Sequence, residues 1–126
     1  MSRALAFASA LICAAPAFAD AAYFAAIEDL PLPPGFVELD AGWSMEVESG
    51  RLTEVRAQGG GNIQSARQFY EEALPQLGWS RSPQLDDALV YVRGRERLMF
   101  AFSAPGEGRV FVRARLLANA APPQAD

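Results

Sequence analysis

The side chains with the most chemical reach in this chain are its arginines. The 126 residues carry 11 Lys+Arg and 15 Asp+Glu, with no histidine, and every basic residue is an arginine. Arg93, Arg97, Arg109, Arg113 and Arg115 crowd the last third, with Phe111 among them. Guanidinium forks hold carboxylate or phosphate groups, and an aromatic ring beside them gives a stacking surface. Arg93, Arg97, Phe111, Arg113 and Arg115 are therefore the candidate ligand-binding set, for a small anionic or amphipathic molecule. The plainer reading pairs these arginines with acidic residues across strands, at under about 1 kcal/mol per pair, to keep a wet face soluble.

Other chemistries find few residues to use. Zinc and copper want histidine or cysteine, and Cys13 is the chain's one cysteine. Glu71-Glu72 and Asp86-Asp87 are adjacent pairs, and adjacent residues do not share a helix or strand face. No spaced oxygen-ligand loop of the calcium type occurs, so neither metal nor cofactor is expected. Ser44, Ser49, Ser65, Ser80, Ser82 and Ser103 have no histidine or lysine to act as base, which points away from an enzyme. Gly59-Gly60-Gly61-Asn62 could cradle an anion before a helix. No Lys-Ser or Lys-Thr follows it and the strand before it belongs to a hairpin, so it reads as a connector. A net charge of −4 argues against nucleic-acid binding.

The N-terminus reads as a secretory signal peptide over residues 1–19. Met1-Ser2-Arg3 is a short basic start, Ala4 to Ala15 is uncharged and mostly apolar, and Ala17-Phe18-Ala19 is an A-x-A cleavage site. The apolar run is too short for a membrane span of roughly 20 residues. Cleavage after Ala19 removes Cys13, unless that cysteine is lipidated instead, and losing Arg3 shifts the charge from −4 to −5. The arginine-only, alanine-rich composition suggests a GC-rich bacterial genome, hence a periplasmic protein without disulfides.

Three segments follow. Residues 20–42 form an extended Pro-rich lead-in, with one apolar helical turn from Tyr23 to Ile27 as an option. Leu30, Leu32 and Phe36 are its expected anchors around prolines that forbid regular structure. Residues 43–117 are the folded domain, and 118–126 a disordered tail. In the domain, Trp43, Met45 and Val47 alternate with polar residues, then Thr53, Val55 and Ala57 do the same. This predicts a hairpin with one apolar face. Asn62 caps a helix on which Ile63, Ala66, Tyr70, Ala73, Leu74 and Leu77 recur at helical spacing, with Pro75 late and Gly78 as its stop. Strands are predicted at 89–93, around 97–102 with Leu98, Phe100 and Phe102 inward, and around 109–116 with Val110, Val112, Ala114 and Leu116 inward. The order β-β-α-β-β-β predicts an α+β domain: an antiparallel sheet with the helix on one face. The other face is expected to carry Glu46, Glu48 and Glu54 early and the arginines late.

The string Phe69-Tyr70-Glu71-Glu72-Ala73-Leu74-Pro75-Gln76-Leu77-Gly78-Trp79 resembles the FYxxxLPxLGW helix motif of small, uncharacterised, exported alphaproteobacterial proteins. The Leu-Pro-Leu-Pro-Pro-Gly lead-in, the Ser-Gly-Arg hairpin and the later Arg…Glu-Arg-Leu run extend the resemblance over roughly residues 28–117. It implies structural roles for Phe69, Tyr70, Pro75, Gly78 and Trp79, namely an aromatic pair, a helix stop and a tryptophan plug, and an envelope location. It implies no catalytic residue. The expected function is a non-catalytic periplasmic interaction module with an envelope protein as partner, engaged through a sheet edge or the Pro-rich lead-in. The alternative is the anionic or amphipathic ligand on the arginine face.

Overall fold

The computed structural model describes residues 22–83 and 88–119. The segment expected to be a signal peptide, the Asp86-Asp87 pair and residues 120–126 of the expected tail lie outside the described residues, while Ala118, expected to begin that tail, ends a strand. Eight elements follow in the order β1 (Val37–Glu38), β2 (Trp43–Val47), β3 (Gly50–Gly60), α1 (Ile63–Gln76), β4 (Ser80–Arg81), β5 (Leu89–Arg93), β6 (Glu96–Gly106) and β7 (Arg109–Ala118). The predicted α+β class and element order hold, with two short strands, β1 and β4, added. All pairings are antiparallel, in the order β1-β3-β7-β6-β5-β4. One edge of β3 is taken by β7. On the other edge β2 pairs with the start of β3 and β1 with its end, at Ala57 and Gln58.

Local chemistry explains α1. Asn62 accepts the Ser65 N–H at 2.8 Å on its side-chain oxygen, satisfying one of the donors that a helix start leaves over. At the other end Gly78 takes φ +92°, a left-handed conformation that L side chains avoid. Its N–H donates to the Pro75 carbonyl at 3.2 Å, and the Trp79 N–H donates to Leu74 at 3.1 Å. These are the two bonds of a Schellman stop, and they deliver Trp79 into the core beside Leu74.

The core lies between the sheet and a second layer built from α1 and the lead-in. Val55, Ala57, Leu89, Tyr91, Leu98, Phe100, Val110, Val112 and Ala114 are buried on the sheet's side, with Ala66, Tyr70 and Leu74 from α1. The anchors Leu30, Leu32 and Phe36 are buried, joined by Phe24 and Ile27. The lead-in is a looped strap, without the helical turn or the extended course expected of it. Tyr23 bridges Pro31, and the Phe24 N–H donates to the Leu30 carbonyl at 3.0 Å. Tyr70 ties helix to strap, its hydroxyl donating to the Pro31 carbonyl at 2.8 Å. A Cβ on Gly59 would fall 2.4 Å from the Phe36 ring, so only glycine lets the strap lie flat on β3.

Candidate functional site

Register decides which side chains share a face. The two-residue loop Glu48–Ser49 makes Val47 and Gly50 the closing pair of the β2–β3 hairpin. Partner positions then sum to an odd number, so odd residues of β2 stand beside even residues of β3. Thr53, Val55 and Ala57 hold the helix side of β3. Trp43, Met45 and Val47 are consequently sent to the opposite, open face, next to Glu54, Leu52 and Gly50. This corrects the hairpin with a single apolar face: Trp43 is 40% exposed and Met45 49%. Ser44 turns to the helix side instead, where its hydroxyl meets that of Thr53 at 2.9 Å. Glu46 goes with it and pairs with Arg51 at 3.0 Å, so Glu46 and Glu54 do not share a face.

The same arithmetic moves Arg93. The loop Gly94–Arg95 closes between Arg93 and Glu96, and alternation places Arg93 with Leu89 and Tyr91 on the helix side. Its guanidinium carbon lies 4.2 Å from the centroid of the Trp79 ring. It also donates to the Leu77 carbonyl at 3.1 Å and pairs with Asp29 at 2.8 Å and Glu96 at 2.9 Å. Arg93 is thus a clasp joining the helix end, the strap and β5, on the far side of the sheet from the other candidate arginines.

Arg113 and Arg115 do reach the open face, where β3 already supplies an anion. Glu54 is only 7% exposed, with Arg115 Nε at 2.8 Å and Arg113 Nε at 4.0 Å from the same carboxylate oxygen. A buried carboxylate without a cation would be costly, so these guanidinium groups serve it first. Arg97 and Phe111 do not converge. Phe111 pairs with Ser103, six residues along β6 from Arg97, about 20 Å at strand rise. Among the described residues Arg97 makes no ion pair, and with Arg95, Leu117 and Asn119 it borders a cleft of about 280 Å³. Of the five predicted ligand-binding residues, Arg93 therefore lies on the helix side and Arg97, Phe111, Arg113 and Arg115 on the open face, with Arg97 and Phe111 far apart along it.

What gathers on the open face is a mixed apolar and charged surface. One row across the sheet reads Met45, Leu52, Leu117, Arg97, Val92, and the next Trp43, Glu54, Arg115, Met99, Val90. Trp43 and Met45 went unrecognised as open-face residues, although the two-residue turn that places them is legible in the chain, whereas Glu54 was expected on this face. On the helix side, a surface groove of about 460 Å³ runs past Pro33, Pro34, Phe36, Gln68, Phe69 and Glu72.

The motif residues have structural surroundings. Phe69 meets Tyr70 edge-on at 5.0 Å, and Tyr70 lies 4.5 Å from Phe100. Burial pushes the Tyr70 phenol well above its ordinary pKa. The Tyr91 phenol is raised too, by burial first, with Arg81 pulling the other way. Asp40 is held low by the Gly42 N–H and the Arg56 guanidinium that it pairs with. Among the described residues no helix is long and apolar enough to cross a membrane. Compared with protein-family models, curated proteins and solved structures, the chain matches none.

Proposed function

We propose that this chain is an exported, non-catalytic interaction module of the bacterial envelope that works in the periplasm by binding another protein along its sheet edge. The observation that carries the reading is β2: an edge strand bonded on one side only, with Trp43 and Met45 exposed along it. Main-chain groups of an open edge supply affinity for an added strand, and flanking side chains supply selectivity. The lead-in is less suited to the role, because Leu30, Pro31 and Leu32 are spent on the core. The lack of lysine and histidine supports a non-catalytic role, as does a single cysteine inside the leader. The signal-peptide pattern supports the compartment.

The test is affinity capture from periplasmic extract with the wild-type chain and with Trp43→Glu. A stoichiometric partner held by the first and released by the second is expected. Recovery of an isolated monomer with no partner defeats the reading. The second reading, an anionic or amphipathic ligand, is favoured by one observation: Arg97, which makes no ion pair among the described residues, lies beside Arg95 at the small cleft. Thermal shifts from anionic metabolites that vanish in Arg97→Glu would promote it.

A further inference from the structure

We infer that the partner of β2 is a second copy of this chain, joined strand to strand about a two-fold axis at Met45. The inference rests on the reading of the chain as an interaction module and names what its edge takes.

The backbone decides which groups are on offer. The Leu39 N–H donates to the Arg56 carbonyl, so even-numbered residues of β3 turn their backbone groups toward the β1 and β2 edge. In register with them, Trp43, Met45 and Val47 spend their backbone groups on β3. The N–H and C=O of Ser44 and Glu46 point the other way, into the open edge. β2 holds no proline and no lysine, and its one charged residue, Glu46, already pairs with Arg51 within the chain.

A second copy fits that pattern. Antiparallel pairing centred on Met45 sets Ser44 against the partner's Glu46 and Glu46 against the partner's Ser44. Each is a hydrogen-bonded pair that exchanges both of its N–H···O bonds. Met45 meets the partner's Met45 at the closer, non-hydrogen-bonded position, and Trp43 meets the partner's Val47. Shifting the register to oppose the two copies of Glu46 would set like charges face to face. Shifting it the other way, onto Ser44, loses a pair. The favoured register also lines Trp43, Met45 and Val47 of both copies along the open face, continuous with Leu52 and Leu117. Cross-strand contact of Met45 with its copy and of Trp43 with the partner's Val47 removes part of that stripe from water and adds to the main-chain bonds.

Sedimentation velocity over a range of concentrations tests this. The wild-type chain is expected to show a reversible monomer–dimer equilibrium. Met45→Lys sets two like charges opposite each other at the axis and is expected to raise the dissociation constant about tenfold or more. Its circular dichroism, and its melting temperature at concentrations where both proteins are monomeric, should be unchanged, since Met45 is exposed in the single chain. In a Cys13→Ser background, Met45→Cys should cross-link to a dimer on mild oxidation, whereas Glu48→Cys should not. A chain that stays monomeric at every concentration overturns the inference. So does a dimer that survives Met45→Lys, or one that Met45→Cys fails to trap. A monomer that still captures a different protein at β2 overturns the self-pairing alone and leaves the interaction reading intact.

Discussion

Tyr70 shows how much one polar atom can settle in this core. Its ring is fully buried against Phe69 and Phe100, and its hydroxyl donates to the Pro31 carbonyl. Tyr70→Phe leaves that carbonyl short of its donor and should cost about 1–2 kcal/mol in urea unfolding at neutral pH. The phenol also sets a pH limit. Its folded pKa lies above its unfolded value, so the folded state holds the proton more tightly. The stabilisation is therefore complete below the unfolded value near pH 10 and is lost as pH rises beyond it. Urea titrations from pH 7 to 11 should show stability falling above about pH 10, and Tyr70→Phe should flatten that fall. Of the candidate site, the sequence revealed side-chain types but not which of them converge. Glu54 shows why: its two arginine partners lie about 60 residues away in sequence and reach it only through the β3–β7 register.

At the scale of elements, the best-read segment was the one whose signals are local. Asn62, the apolar period of α1, Gly78 and Trp79 lie within one stretch, and each does in space what its type suggests. Gly78→Ala forces a side chain into the left-handed region and should lower stability by roughly 1–2 kcal/mol, with Gly78→Asn milder, in thermal or urea unfolding. Hairpins were harder because their faces depend on counting across a turn. The β6–β7 hairpin has a two-residue loop at Glu107–Gly108, but a register shift between Ser103 and Gly106 changes the parity. That shift lets Leu98 and Phe100 face the same side as Val112 and Ala114. Pro105 falls inside the irregular stretch, where a missing ladder donor is tolerated. The β2–β3 hairpin has no such shift, and its apolar stripe is left on the open face.

For the molecule as a whole, the strap matters as much as the helix. One helix of 14 residues does not cover a six-strand-wide sheet, and Phe24, Ile27, Leu30, Leu32 and Phe36 close the remainder. Leu30→Ala should therefore behave as a core mutation, costing about 2–5 kcal/mol in denaturant unfolding. A loss below about 0.5 kcal/mol, the range of ordinary surface changes, would show that the strap is dispensable. The Arg93 clasp to Asp29, Glu96 and the Leu77 carbonyl ties the strap and the helix end to the sheet, across the two layers.

Composition and local pattern by themselves determined the α+β class, the helix with its two ends, the inward residues of the last two long strands, and the scarcity of reactive side chains. These depend on residue type and on neighbours within a few positions, where backbone sterics and helical or strand periodicity dominate. Only the tertiary structure decided that Trp43 and Met45 face outward, that Arg93 faces inward, and that Arg113 and Arg115 belong to Glu54. Each of those outcomes turns on pairing parity, and a shift of one residue sends a whole strand's side chains to the other face.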